Sequence, residues 1–204
     1  MTDYNPPEVL ISITKIKYQK AIIPILIVLG VFIIELTSPI QILRYISLLA
    51  FIYYLYLIII YRINKSVGET EDKQVLSPIH GKVVKIENHD NEIIVIILKN
   101  FYQPADIRFS SDNERERIED DKKTDEGVDK RDNLSLSNQD SSIKWTLNGK
   151  SIYYFPRALK RKSVLAGIIT GKGICHFQLT QDYSILVKLG QKVEAGITAI
   201  GAIE

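Results

Sequence analysis

The chain has 204 residues, of which 46% are hydrophobic and 25% charged, with a formal net charge of +2. Its single cysteine, Cys175, excludes an internal disulfide framework, and no Cys or His cluster has the spacing of a zinc site, so nothing reads as secreted or metal-dependent. The length fits one ordinary domain or a smaller domain with membrane segments, and the distribution of charge favours the second.

Residues 1–20 read as an N-terminal tail. From Ala21 to Tyr61 the only formally charged residues are Glu35 and Arg44. The apolar run from Ala21 to Leu36 has 16 residues; at 1.5 Å per residue it covers roughly 24 Å, slightly short of a hydrocarbon core of about 30 Å. The run from Ile40 to Tyr61 has 22 residues and spans unaided, with Arg44 near enough to one end to snorkel. Thr37-Ser38-Pro39 leaves room only for a tight turn, so residues 21–62 are predicted to form two transmembrane helices in a hairpin. The alternative is a buried helical hairpin in a soluble core, but the remaining 140 or so residues would struggle to cover two helices apolar on all sides. Lys15, Lys17 and Lys20 precede the hairpin and Arg62 and Lys65 follow it, which puts both termini in the cytoplasm of a two-pass protein of the cell membrane. The 20 residues before the apolar run and the lack of a small-residue cleavage site argue against a cleavable signal peptide.

Residues 70–109 and 143–204 read as an all-β cytoplasmic domain, rich in Val, Ile, Tyr and Thr, with Gly, Asn and Pro between short strands. Between them, residues 110–142 carry 11 acidic and 6 basic residues and no aromatics. Such a stretch buries too little to offset its ordering entropy and is predicted to be a disordered acidic insertion, with a helix around 114–123 as the alternative. Removing its charge leaves +7 on the remainder. Arg157, Lys160, Arg161 and Lys162 concentrate four of these charges, and each would gain about 1 kcal/mol beside an anionic leaflet. They are the candidate lipid-binding residues, with a solvated turn as the bland alternative. No aromatic-interleaved basic surface points to nucleic acid.

Two segments bear on chemistry: Ser77-Pro78-Ile79-His80-Gly81-Lys82-Val83, and the stretch from Ala166 to Ile203 containing Lys188-Leu189-Gly190-Gln191-Lys192-Val193-Glu194-Ala195-Gly196. Placed behind a membrane hairpin that ends in Ile60-Tyr61-Arg62, they resemble the short form of the phosphatidylserine decarboxylase family, including the archaetidylserine variants. The resemblance covers nearly the whole chain outside the acidic insertion. It implies a barrel-sandwich-like β domain, a phospholipid substrate, and a pyruvoyl group made when the chain cuts itself at a serine.

The family pattern is broken where that chemistry resides. His80 stands at the motif aspartate, Arg108 stands at the histidine of Asp-Val-His, and Glu204 follows Ile203 where Phe-Gly-Ser would come. Self-cleavage needs a serine nucleophile, a base and a group that orients the base. The pyruvoyl carbonyl then serves as electron sink for decarboxylation. With all three positions changed or missing, no catalytic residue and no pyruvoyl cofactor are expected, and His80 and Arg108 are read as degenerate family positions. Cys175 and His176 point to opposite faces of a strand and make a poor dyad. A likeness to lipoyl and biotinyl carriers, through Pro-x-x-Gly-Lys-Val-Val-x-Ile, lacks the modified lysine hairpin.

Three functions follow: a non-catalytic relative that binds phospholipid headgroups or partners an active lipid-synthesis enzyme, a decarboxylase subunit whose pyruvoyl chain is separate, or a membrane-tethered adaptor. For the topology, cysteines introduced at Thr2 and Glu204 should both resist an impermeant thiol reagent in intact cells; labelling of either would overturn it.

Overall fold

The computed structural model describes residues 7–37, 41–64, 73–89, 91–116, 129–155, 158 and 160–203. It has two long apolar N-terminal helices followed by a β-rich domain whose main sheet curls into a half-barrel.

Helix α1 (Pro7–Thr37) and helix α2 (Gln41–Ile60) pack against each other and are long and apolar enough to cross a membrane. The described part of the expected tail is helical, which corrects the boundary at residue 20. Pro7 occupies the first helical position, where its missing N–H costs nothing, and Glu8 faces the positive end of the helix dipole. Val9, Ile13 and Ile16 fall on one stripe and pack with the β-domain core. Lys15, Lys17 and Lys20 therefore interrupt a continuous helix. Its first part is a docking arm on the β domain, and only the part beyond is uniformly apolar.

The strands are β1 (Gln74–Leu76), β2 (Gly81–Asn88), β3 (Glu92–Lys99), β4 (Asp106–Arg108), β5 (Arg115–Glu116), β6 (Asp129–Ser137), β7 (Ile143–Tyr154), β8 (Leu165–Ile169), β9 (Gly173–Thr180), β10 (Tyr183–Ile185), β11 (Lys192–Val193) and β12 (Ala199–Ile203). The larger sheet runs β11-β2-β3-β9-β7-β6-β5, and β8 joins β4 to β7; the smaller is β1-β12-β10. All the strand pairs are antiparallel. Alternation in β3 and β9 turns Val95, Ile97, Cys175, Phe177 and Leu179 into the core.

Within the expected disordered insertion, residues 129–137 form β6, paired with β7 from Asp129↔Tyr154 to Ser137↔Lys144. Composition concealed the reason. Leu134 and Leu136 alternate with Asn133, Ser135 and Ser137, so one face of a polar segment is apolar, and both leucines are buried. Glu114 is also fixed: Trp145 Nε1 donates to its Oε2 at 2.9 Å, and the Ser110 and Ser111 amides donate to its Oε1. Burial pushes the Glu114 carboxyl above its usual range, although these donors oppose the shift. Residues 117–128 lie outside the described residues.

If β6 is integral, Leu136→Ala should cost about 2–5 kcal/mol, the range for a fully buried leucine, as a lowered thermal midpoint of the intact protein. An unchanged midpoint would return this segment to the surface.

Candidate functional site

The β domain is fastened to the end of α2 by three consecutive residues. Arg62 O accepts the Ala105 amide at 2.7 Å, the Asn64 amide donates to Asp106 Oδ1 at 3.2 Å, and Arg108 Nη2 donates to Asn64 O at 2.7 Å. Ile63 packs partly buried against the core between them.

Asp106 and Arg108 are two apart on β4, so their side chains share a face. Arg108 Nε donates to Asp106 Oδ2 at 2.9 Å, and its Nη1 donates to Ser163 O at 2.8 Å. His80 Nε2 lies 3.0 Å from Asp106 Oδ1. Asp106 and Arg108 are fully buried and His80 is 3% exposed. Burial alone would raise the Asp106 carboxyl, but its hydrogen bond to His80 and the charge and hydrogen bond of Arg108 outweigh it and hold the group below the usual carboxylate range. An ionised Asp106 only accepts, so His80 Nε2 donates and Nδ1 is left as the second ring nitrogen.

The backbone is shaped around this cluster. Gly196 has φ +68°, and a Cβ there would stand 2.4 Å from Arg108 Cδ and 2.6 Å from Ser163 Oγ. Its amide donates to Ser77 O at 2.9 Å, and its carbonyl accepts Ser163 Oγ at 2.7 Å. The glycine that closes the Lys-x-Gly-x-x-Val-x-x-Gly segment is thus the lid over the guanidinium.

Beside the cluster opens a cavity of about 520 Å³, lined by Arg62, Asn64, His80, Tyr102, Lys192 and Glu194 among others. His80 makes no second hydrogen bond among the described residues, and no buried side-chain polar atom there lacks a partner, so Nδ1 is open to the cavity. The lining offers two cations, one carboxylate and a ring nitrogen held in one orientation. That set suits an anion bearing a nearby hydroxyl or amine. Lys99, beneath the same wall, donates to Asn100 O and Gln103 O at 3.2 Å each. Burial pushes its ammonium down to about 8, against the pull of Asp106. Among the described residues no group of His, Cys, Asp and Glu side chains could hold a metal ion.

The structure brings His80 and Arg108 together through a residue the sequence reading did not single out, Asp106. The signal was available, since an Asp two residues before Arg108 in an extended segment must lie on the same face. Lys192 and Glu194 were visible only as part of a turn motif. The described part of the basic cluster, residues 160–162, is elsewhere. Ile169 N donates to Ala105 O, whereas Leu165 pairs with Arg108, so β8 runs toward the end of α2 and residues 160–162 lie at its opposite end. Lys162 Nζ donates to Gln74 O there, and its amide donates to Asp112 Oδ1. Arg157 lies outside the described residues. Cys175 is fully buried, and Thr146 faces His176 on the neighbouring strand.

No family model matches this chain, and neither does any curated protein or solved structure.

The depressed Asp106 value has a sign. It adds stability above the unfolded carboxyl value of about 3.9 and loses it as the pH falls through the lower folded value. Asp106→Asn should therefore flatten the acid side of the thermal-midpoint profile below about pH 4 and cost about 3–5 kcal/mol at neutral pH, as expected for a buried pair stripped of one partner. A variant with the wild-type acid limb would show that Asp106 is not the group involved.

Proposed function

We propose that this chain is a two-pass membrane protein related to the phosphatidylserine decarboxylases, with both termini cytoplasmic, that binds phospholipid headgroups without decarboxylating them. A role as partner to an active decarboxylase or another lipid-synthesis enzyme fits the same site.

The observation that carries this reading is the position of the cavity. Arg62 and Asn64 line it and stand two and four residues beyond the last residue of α2. Even a fully extended chain covers only about 3.5 Å per residue, so the lining begins within roughly 14 Å of the helix end. If α2 spans the bilayer, that depth is at or beside the headgroup layer. Arg62 and Lys192 then meet the phosphate, and His80 Nδ1 and Glu194 meet a donor carried by the headgroup. The non-catalytic half rests on His80 and Arg108 at the positions where the family carries aspartate and histidine.

A second reading is favoured by one specific contact. His80 and Asp106 together form a base and its orienting carboxylate beside the cavity, two of the three parts of a self-processing triad, with the histidine at the family's aspartate position. A separately encoded chain supplying the serine would complete it, making this protein the large subunit of an active decarboxylase.

Native mass spectrometry of the full chain released from anionic nanodiscs should show retained phospholipid. Arg62→Glu with Lys192→Glu should weaken retention by at least about 100-fold, since two charged contacts are worth about 1.5–3 kcal/mol each; undiminished retention would remove the cavity from the proposal. The purified chain should stay uncleaved at 23.3 kDa and release no carbon dioxide from phosphatidylserine. Release by this chain alone would overturn the non-catalytic reading, and release only after mixing with a serine-bearing second chain would favour the second.

A further inference from the structure

The turn from Asn100 to Gln103, between β3 and β4, is held more firmly than its exposure requires. Lys99 Nζ donates to the carbonyls of Asn100 and Gln103, the Asn100 amide donates to Gln103 Oε1 at 2.7 Å, and Gln103 N returns to Asn100 O at 3.2 Å. Asn100 Nδ2 donates to Tyr102 Oη at 3.2 Å. Placing an ammonium out of water is costly unless its hydrogens are used, and here they fix the turn's backbone. What the turn presents is a pair of aromatic rings: Phe101 is 44% and Tyr102 56% exposed, edge to face with centroids 5.6 Å apart.

The surroundings say what these rings face. Ala105, two residues past Gln103, is hydrogen-bonded to Arg62 at the exit of α2. Lys99 pairs with Gly173, which sets the Thr170–Lys172 turn alongside, with Lys172 exposed. Neither turn contains an acidic residue. Tyr102 also lines the cavity. Aromatic rings flanked by Arg and Lys, next to the end of an apolar helix, have the composition of a membrane–water interface.

We propose that Phe101 and Tyr102 are an interfacial anchor: the rings sit among lipid headgroups, Arg62 and Lys172 meet lipid phosphates, and the cavity is held against the bilayer. This rests on α2 spanning the membrane and not on what fills the cavity.

The fold supplies its own control. β2 runs from Gly81 at the cavity to Asn88, seven steps of about 3.3 Å, and the pairings Asn88↔Ile93, Ile93↔Leu179 and Leu179↔Ile143 put the turn containing Asp140 at that far end. Nitroxide labels would be attached to Phe101→Cys, Tyr102→Cys and Asp140→Cys in the full chain, reconstituted in vesicles of phosphatidylcholine with phosphatidylglycerol; the native Cys175 is buried and need not be removed. Labels at 101 and 102 should collide with oxygen in preference to a water-soluble nickel complex, with a ratio several-fold above that at 140. Equal, water-like ratios at all three sites would overturn the anchor, and so would a lipid-like ratio at 140. Immersed labels on protein that retains no phospholipid would sustain the anchor while the headgroup reading fell. Water-exposed labels on protein that retains lipid would overturn the anchor and leave that reading intact.

Discussion

One buried carboxylate connects the three parts of this molecule. Asp106 accepts from His80 ahead of β2, from Arg108 on its own strand, and from the amide of Asn64 beyond α2. Burying a carboxylate is costly by several kcal/mol, and a charge partner repays that only when the remaining lone pairs are also used. Both oxygens are used here. Because the donors come from segments distant in sequence, the ion is satisfied only when the helix exit, the His80 turn and β4 are in register together. A domain's whole stability is about 5–15 kcal/mol, so a group whose partners cost several kcal/mol to lose sets the geometry around it.

The cavity follows from that constraint. With Asp106 ionised, the proton between it and His80 resides on Nε2, which turns Nδ1 toward the open space. With Arg108 held by Asp106, Ser163 and Asn64, only glycine fits at position 196, and the turn that follows β11 closes over the guanidinium. Lys192 and Glu194, on β11 and just beyond it, reach the cavity wall as a result. The cations facing the cavity therefore come from two sources, the end of a helix and a returning strand, and neither belongs to the basic run at 157–162.

Much of the fold was legible because its signals are local. Two apolar runs with a single charge each gave the helices, and alternation of branched and aromatic residues gave the β domain. Two boundaries were misjudged for opposite reasons. Three lysines masked the stripe Val9–Ile13–Ile16, so the start of α1 read as a tail. Eleven acidic residues masked the alternation at Leu134 and Leu136, so β6 read as disorder. At the site, His80 and Arg108 were found as departures from a family pattern, but their contact was invisible. It depends on a third residue and on β4 meeting the His80 turn through the Ile79↔Ile107 bridge, a pairing that no local spacing encodes. Arg62 was seen as a topology signal and Lys192 as part of a turn. Only the fold puts them on one cavity.

The central claim is that Asp106 ties the exit of α2 into the β domain. Hydrogen exchange of the full chain in nanodiscs, read at the amides of Asn64 and Ala105, tests it most directly. Asn64, though only partly buried, should be protected like the Val95–Ile97 core of β3, and Asp106→Asn should open Asn64 and Ala105 together while β3 and β9 stay protected. Exchange of Asn64 at the rate of an unstructured amide in the wild-type protein would contradict the account.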